Sequence, residues 1–176
     1  MSPGGNRSNS KGRSGDYGAT EDGDDLNLSP EDERLYEDFM AAESQQDRRW
    51  RFFAPVKELA PGLITRLTHI DYTSAMAFIA LDEAAGEMLG VARLHEAETK
   101  DAGEYAVVVR SDLKSHGLGW HLMQMLIAYA RKRNLQCIQG QVLHDNATML
   151  NMCEELGFEI HTNRDEPYVC DVRLAL

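Results

Sequence analysis

The fold of this chain is decided by residues 105–121, which read Tyr105-Ala-Val-Val-Val-Arg-Ser-Asp-Leu-Lys-Ser-His-Gly-Leu-Gly-Trp-His121. A β-branched run ends in a Gly-x-Gly loop, and the loop opens into an apolar-periodic helix. This order brings unpaired backbone N–H groups and the positive end of a helix dipole to one point, which favours phosphate. Gly117 and Gly119 let a bulky anion approach the backbone. An ordinary strand-to-helix turn is the alternative.

The loop differs from two common phosphate-binding motifs. Lys114 precedes the glycines and no Gly-Lys-Ser/Thr follows them, so the loop is not a P-loop. It is also not the six-residue fingerprint of dinucleotide-binding folds. The Gly-x-Gly pattern on its own therefore does not distinguish a phosphate site from an ordinary strand-to-helix turn.

Composition predicts one domain without a membrane segment. The chain has 176 residues, of which 43% are hydrophobic, and no apolar run approaches the roughly 20 residues of a membrane span. The first residues do not form an apolar signal core. Three cysteines, not spaced as metal pairs, suit a reducing compartment. We therefore expect a cytoplasmic protein with no metal site and no membrane partner.

The net charge of −11 is concentrated near the N-terminus. Residues 16–47 hold twelve acids and one base, whereas residues 1–15 contribute three positive charges. This distribution disfavours nucleic-acid binding by the folded part. The acidic segment could steer lysine-bearing substrates, or it could be a solvated tail that aids solubility.

Two regions are expected along the chain. Residues 1–28, rich in Gly, Ser and Asp, have too little to bury and are predicted to be a disordered tail. Residues 29–176 are predicted to form a single domain. Ser29 and Pro30 mark the start of its first helix, and Leu35, Tyr36 and Phe39 belong to the apolar stripe of that helix.

The remaining pattern interleaves helices and strands. Helices are predicted over 47–53, 61–69, 120–133 and 147–156, the last one capped by Gly157, and strands over 75–81, 88–95, 104–110, 136–143, 158–162 and 168–174. Several strands precede the glycine loop. The fold class is therefore α/β with a mixed sheet and helices on both faces.

Two motifs resemble those of a known superfamily. The pattern Lys114-x-x-Gly117-x-Gly119 resembles the pyrophosphate loop of the GNAT superfamily of acyl-CoA-dependent N-acyltransferases. Residues 146–158, an Asn-led helix closing on Leu-Gly-Phe, resemble its second signature. Residues 51–53, 67–72, 77–80 and 104–110 resemble the acetyltransferase domain of Pat-type bacterial protein lysine acetyltransferases. The resemblance covers residues 29–176.

The resemblance implies a mostly antiparallel sheet, splayed between its fourth and fifth strands, with acetyl-CoA as co-substrate. Only residues 26–28 are available for the family's first strand. Backbone groups of Val107, Val108 and Val109 would hold the pantetheine, although buried-strand valines are an equally simple reading. Asn146 would contact the cofactor and cap its helix. The implied diphosphate loop consists of Lys114, Ser115, His116, Gly117, Leu118, Gly119 and Trp120; the His116 side chain could instead be exposed.

Glu104 is the candidate general base, because Pat-type enzymes that resemble this chain carry a glutamate there. An unperturbed lysine amine, with a pKa of about 10.4, needs such a base at neutral pH. Screening by Tyr105 would raise the pKa of the carboxyl toward a useful value. Without the resemblance, a solvent-facing glutamate at a strand end is the simpler interpretation.

Cys153 stands where many members carry a tyrosine that protonates the leaving thiolate. A thiol with a pKa of about 8.5 could donate a proton, but a buried cysteine is usually a small core residue. The thiolate would then take its proton from water or from the incoming ammonium. Direct transfer in a ternary complex is expected.

Other polar residues give weaker signals. The arginines and tryptophan of residues 48–51 form a solvated helix face, or some of them contact CoA or a protein substrate. The six histidines show neither a Ser–His–Asp nor an HExxH arrangement, which argues against a hydrolase or metalloenzyme. His144, next to Asn146, could line the acceptor side.

The expected activity is acetylation of a protein lysine by acetyl-CoA. By resemblance, the protein partner is an acyl-adenylate-forming CoA ligase, such as an acetyl-CoA synthetase, which acetylation silences. The alternatives are acetylation of a small amine and a non-catalytic acetyl-CoA sensor. The chain is expected to be either a stand-alone enzyme or a piece of a larger protein, and it could form an oligomer.

Overall fold

The computed structural model describes residues 28–53, 61–82, 84–99, 101–114 and 117–176. The predicted tail therefore lies outside the described residues, apart from Leu28, which is fully buried. The predicted helix start is confirmed. The Ser29 N–H donates to a carboxylate oxygen of Asp32 at 2.8 Å, and the Asp32 N–H donates to the Ser29 carbonyl at 3.0 Å.

The described part of the chain contains five α-helices and six strands, in the order that the sequence predicts. The helices are α1 (Glu33–Ala42), α2 (Gln45–Phe52), α3 (Pro61–Thr68), α4 (Leu118–Lys132) and α5 (Ala147–Glu155). The strands are β1 (Ala75–Asp82), β2 (Glu87–Glu96), β3 (Ala102–Val109), β4 (Cys137–Leu143), β5 (Glu159–Thr162) and β6 (Val169–Ala175). Helix α4 begins at Leu118, two residues earlier than predicted. Its N-cap is Gly117, so the second glycine of the loop, Gly119, already lies in the first turn.

The strands form one mixed sheet in the order β1-β2-β3-β4-β6-β5. Neighbouring strands are antiparallel except β3 and β4, which are parallel. The predicted splayed, mostly antiparallel sheet is confirmed, and the opening falls between β3 and β4. The resemblance placed the opening between the fourth and fifth strands of the family's sheet. In this chain the same opening lies between the third and fourth strands, because no strand precedes β1 among the described residues and Leu28 is not in a strand.

Side chains alternate across the sheet and build one core on each face. One face packs on α4 and α5, with Tyr105, Leu126 and Cys153 among its buried members. The other face packs on α1 and α3, with Tyr36, Ile79 and Val108 among its buried members. The prediction of helices on both faces is therefore confirmed. Among the described helices, none is long and apolar enough to cross a membrane.

Gly140 in β4 offers a test of this packing. A Cβ built there would lie 2.8 Å from Cε1 of the Tyr105 ring, too close for a normal contact. We therefore expect Gly140→Ala to lower the free energy of unfolding by about 1–3 kcal/mol, measured by urea denaturation. Gly62→Ala in α3 is the control, because its Cβ would meet nothing within 4 Å. Equal stability of both variants and the wild type would contradict the packing.

Candidate active site

The site begins where the sheet opens. Strands β3 and β4 pair at three positions, the last one between Glu104 and Gln139. Beyond this point β4 continues to pair with β6, and β3 with β2. The β4-facing edge of residues 105–109 therefore has no strand partner among the described residues. Its backbone groups are available to a ligand that inserts between the strands.

A cleft of about 580 Å³ fills this opening. Its walls come from β3, β4 and three helices, and the residues considered below lie among its lining: Asp47, Trp50, Arg51, Glu104, Tyr105, Val107, Val108, Val109, Lys114, Gly117, Gly119, Trp120, Asn146 and Glu155. Most of the residues predicted to hold the cofactor thus meet around one cavity. Ser115 and His116 were also predicted there, but they lie outside the described residues.

The glycine loop lies at one end of the cleft. Gly117 has a φ of 86°, a left-handed conformation that favours glycine. The first helical hydrogen bond of α4 runs from the His121 N–H to the Gly117 carbonyl at 3.0 Å, so the three preceding N–H groups, of Leu118, Gly119 and Trp120, have no partner within the helix. A Cβ built at Gly119 would lie 3.5 Å from Cγ2 of Val109, an ordinary contact distance, so the loop lies next to the end of β3. These features fit a diphosphate held by backbone donors and the helix dipole.

The three valines serve both of the interpretations that the sequence left open. Val108 is buried in the core against α1 and α3, and Val107 and Val109 pack toward α4 and α5. Their β4-facing backbone edge lines the cleft. Side chains therefore stabilise the sheet while the backbone remains available for pantetheine amides.

Lys114, which was expected to add charge to a phosphate site, is bound to residues of α2. Its ammonium forms an ion pair with the Asp47 carboxylate of α2. It also lies 4.6 Å from the centre of the Trp50 ring, a cation–π distance. Asp47 thus already balances part of the charge of Lys114. The backbone N–H groups at the start of α4 are therefore the main donors that the loop offers to a phosphate.

Helix α2 is attached to both walls of the cleft. On one side it binds Lys114 through Asp47. On the other side Asp145, in the loop before α5, accepts hydrogen bonds from Trp50 Nε1 at 2.9 Å and from Arg49 Nη1 at 2.6 Å. On the face predicted to be solvated over residues 48–51, Arg49 and Trp50 thus also bind a residue of the chain itself. Sequence reasoning missed the contribution of Asp145 because its partners lie about a hundred residues away.

A buried acidic pair supports the Lys114 end of α2. The Ser111 hydroxyl bridges Glu43 and Asp47, which are 3% and 7% exposed. Burial raises the pKa of Glu43 to about 7, only partly offset by the hydrogen bond from Ser111. Burial alone would also raise the pKa of Asp47, but hydrogen bonds from Lys114, Ser111 and Ser44 outweigh it and hold that pKa below its usual value. In this pair the charged form of Asp47 is therefore favoured, whereas the charged form of Glu43 is disfavoured.

The raised pKa of Glu43 predicts a pH-dependent stability. Folding favours the protonated carboxyl, so this contribution is complete below pH 4.5 and is lost as the pH rises through about 7. We expect Glu43→Gln to match the wild type at low pH and to exceed its stability by about 1–3 kcal/mol above pH 7. Thermal unfolding at several pH values measures this difference. Glu37→Gln, at an exposed position of α1, is the control; a pH-independent effect of Glu43→Gln would contradict the assignment.

Glu104 occupies the last paired position of β3, where the cleft opens. Its side chain is exposed. The expected screening by Tyr105 is wrong, because successive residues of a strand point to opposite faces and Tyr105 is buried against α4 and α5. Arg51 of α2 lines the same cleft, and Glu104 is among the charges that act on it. The carboxylate is therefore accessible to an amine that enters from the α2 side.

Asn146 and Cys153 lie on α5. The Asn146 side chain accepts a hydrogen bond from the Met149 N–H at 3.2 Å, which confirms the predicted cap, and it also lines the cleft. Cys153 is fully buried, as its interpretation as a core residue requires. Burial raises the pKa of its thiol, and a hydrogen bond with Tyr105 offsets this only in part.

Comparisons with known proteins identify the class. The pattern of the Acetyltransferase (GNAT) family matches residues 33–158. The chain therefore belongs to the GNAT family, and it is an N-acetyltransferase. Members of this family take their acyl group from acetyl-CoA, and the unpaired β3 edge and the glycine loop fit such a donor.

Particular relatives agree with this assignment. An acetyltransferase of Pseudomonas aeruginosa is 32% identical over 151 residues, which are 85% of this chain and 81% of the relative. The L-methionine sulfoximine/L-methionine sulfone acetyltransferase of Pseudomonas paraeruginosa is 34% identical over 86 residues, 47% of this chain and 50% of that protein. Among solved structures, the GNAT domain of PAT from S. lividans has a TM-score of 0.78 at 22% identity, covering 85% of this chain and 88% of that one.

Proposed function

We propose that this N-acetyltransferase transfers the acetyl group of acetyl-CoA directly to a primary amine in the β3–β4 cleft, with Glu104 as general base. The observation that carries the proposal is the position of Glu104. It stands where β3 and β4 separate, and the Gly117–Gly119 loop lies beyond the other end of the unpaired β3 edge. Acetyl-CoA supplies an activated thioester. Residues of the chain would bind this donor and remove the proton from the acceptor amine.

Donor binding is assigned to the backbone. The N–H groups of Leu118, Gly119 and Trp120 would receive the diphosphate, at the positive end of the 15-residue helix α4. The free edge of Val107, Val108 and Val109 would bond the pantetheine amides. Lys114 would add charge only as far as its pairing with Asp47 allows. Such an arrangement orients the thioester toward Glu104.

Glu104 would remove a proton from the acceptor. An ammonium with a pKa of about 10.4 is not a nucleophile at neutral pH until it loses a proton. The exposed carboxylate can receive that proton directly or through water. This step does not require Cys153, which is buried in the core.

Removal of the base gives the direct test. We expect Glu104→Gln to lower kcat by about 10²-fold or more, because general base catalysis contributes that much, while the Kd of acetyl-CoA stays within twofold. Steady-state kinetics and calorimetric titration measure the two quantities. The control is Glu98→Gln, at an exposed position after β2 outside the cleft lining. Near-normal turnover of Glu104→Gln would exclude Glu104 from the mechanism.

For the acceptor, we propose a lysine of a protein, and specifically of an acyl-adenylate-forming CoA ligase. The motifs shared with Pat-type enzymes support this choice. Glu104 is exposed, so a lysine presented on the surface of another protein can reach it. Trp50 and Phe53 line the cleft, and Phe53 is 39% exposed, which offers apolar contact for the hydrocarbon part of a lysine side chain.

The acceptor is identified by incubating the enzyme with labelled acetyl-CoA and a purified ligase. Transfer to a ligase lysine, located by mass spectrometry and lost in Glu104→Gln, supports the proposal. Label on small amines with none on the ligase would contradict it. Acetyl-CoA binding without transfer to any amine would contradict the catalytic proposal as a whole.

A second candidate acceptor is a small amine that carries a carboxylate. Arg51 of α2 favours it, because this residue lines the cleft and its guanidinium lies 5.1 Å from the centre of the Phe52 ring, with no carboxylate paired to it among the described residues. Burial lowers the pKa of this guanidinium; Tyr36 and then Glu104 offset the effect in part, whereas the charge of Arg93 adds to it. An anion from the acceptor would balance the charge. The named acceptors of the Pseudomonas paraeruginosa relative are amino-acid derivatives, in agreement with this candidate.

Arg51 separates the two candidates. If the acceptor carries a carboxylate, Arg51→Gln should raise its KM about 10- to 100-fold through loss of a charged hydrogen bond, with no effect on the amide analogue of the same amine. Steady-state kinetics on the acid and amide pair measure this selectivity, with Arg66→Gln in α3 as an exposed control. Equal effects on acid and amide would contradict the small-acid candidate.

We also propose a cytoplasmic location. Cys137, Cys153 and Cys170 are all unpaired and buried, which suits a reducing compartment. A CoA ligase as partner would require the same compartment.

A further inference from the structure

Tyr105 and Cys153 form a buried polar pair beside the cleft. The Tyr105 hydroxyl oxygen lies 3.1 Å from the Cys153 Sγ, and either atom can be the donor. Cys153 is fully buried and Tyr105 is 6% exposed, yet Tyr105 contributes to the cleft lining. The hydroxyl is therefore shielded from bulk water, and it belongs to a residue that lines the cleft.

The ring of Tyr105 is fixed on two sides. It meets the Phe158 ring edge-on, with centroids 5.5 Å apart and planes at 62°. On the other side it lies against Gly140, where a side chain would overlap it. These contacts hold the ring in place, with the hydroxyl beside Cys153 of α5.

Glu104 and Tyr105 lie on opposite faces of the sheet at the point where it opens. Glu104 shares its face with Val108, which packs toward α1 and α3, whereas Tyr105 packs toward α4 and α5. The gap between β3 and β4 begins directly after Glu104. A thioester in this gap would therefore have a carboxylate on one side and a phenol on the other.

The position of the sulfur follows from the spacing along β3. If the pantetheine lies along residues 107–109 and the amine meets Glu104, the thioester must lie beside residues 105–106, since a strand advances about 3.3 Å per residue. Tyr105 is the residue whose hydroxyl extends to the face opposite the amine. It is thus placed on the leaving-group side of the reaction.

We propose that the Tyr105 hydroxyl donates a hydrogen bond to the thioester sulfur as it departs, and that Cys153 is a positioning residue for this hydroxyl. The inference rests on the proposed function. Cys153 acts by donating its S–H to the Tyr105 oxygen, which leaves the phenol O–H directed at the sulfur. The chain thereby supplies on β3 a hydroxyl that α5 lacks.

The step balances without a further reactant. The ammonium gives one proton to Glu104, and its nitrogen forms the bond to the acetyl carbon. The bond from that carbon to sulfur breaks, and the sulfur takes the electron pair while Tyr105 donates a hydrogen bond to it. The second proton of the nitrogen then passes to the sulfur, which leaves an amide and a thiol. Tyr105 and Cys153 retain their protons throughout.

The environment suits a donor that stays protonated. Burial, and then the neighbouring Cys153, raise the pKa of Tyr105 well above its usual value, so the phenol keeps its hydrogen at every working pH. Burial likewise raises the pKa of the Cys153 thiol. The charged residues that line the cleft are Asp47, Arg51, Glu104, Lys114 and Glu155. All five remain in the variants compared below, so their influence cancels.

Binding of two cofactor analogues tests the hydrogen bond without turnover. CoA carries the thiol, and desulfo-CoA has hydrogen in its place. A donor at the sulfur favours the thiolate, so the ratio of the desulfo-CoA Kd to the CoA Kd should rise between pH 7 and pH 9.5, across a thiol pKa of about 8.5. We expect this rise to be about tenfold smaller in Tyr105→Phe than in the wild type, the size of a hydrogen bond to a charged group. Calorimetric titration measures all four affinities.

Three controls keep the result interpretable. Tyr105→Phe keeps the ring and its contact with Phe158, and its thermal unfolding shows whether the fold is retained. Tyr129→Phe removes a hydroxyl from α4 outside the cleft lining and should match the wild type. Cys153→Ala should reduce the rise of the ratio less than Tyr105→Phe does. It should also reduce kcat less, with the KM of acetyl-CoA unchanged in both variants.

The outcomes are distinct. An equal rise of the ratio with pH in the wild type and Tyr105→Phe would overturn the role of Tyr105 and leave the proposed function standing. A failure of both analogues to bind the wild type would overturn the proposed function itself, and this inference with it. A rise that is about tenfold smaller in Tyr105→Phe and unchanged in Tyr129→Phe supports the assignment.

Discussion

The site depends on how far β3 and β4 remain paired. Parallel pairing ends at Glu104, while β3 stays bonded to β2 and β4 to β6. Each strand is thus held firmly on one side and open on the other. Water can satisfy the free backbone edge when no ligand is present, and a ligand with amide groups can satisfy it in the same way. Each strand beside the opening keeps its position through its other neighbour, and the core against α4 and α5 includes residues of both β3 and β4.

The charged side chains around this opening lie on α2 as well as in the glycine loop: Asp47 and Arg51 belong to α2, and Lys114 belongs to the loop. The ion pair between Lys114 and Asp47 and the hydrogen bonds from Arg49 and Trp50 to Asp145 join the two sides of the cleft through one short helix. Exposed ion pairs contribute little to stability, so the Asp145 contacts set the position of α2 more than they stabilise the fold. Arg51 and Trp50 consequently face the place where an acceptor must enter.

Sequence patterns predicted most of the fold because they record local physics. Strand-forming runs between turn-forming residues identified β1 to β4, Asn146 and Gly157 marked both ends of α5, and the glycine loop located the start of α4. Contacts between distant segments left no such pattern. The bond between Trp50 and Asp145 and the approach of Tyr105 to Cys153 depend on how the sheet brings remote residues together. The expected screening of Glu104 by Tyr105 is wrong for a related reason, because its sequence neighbour Tyr105 lies on the opposite face.

The central claim is that backbone amides around the two glycines hold the diphosphate of CoA while the free edge of β3 holds its pantetheine. Amide chemical shifts recorded by NMR during a titration with CoA test it most directly. We expect the largest changes at Gly117, Leu118 and Gly119, followed by Val107 to Val109, with little change on the distant strands β5 and β1. Saturable binding of CoA that left the amides of the glycine loop and of β3 unmoved would contradict the account.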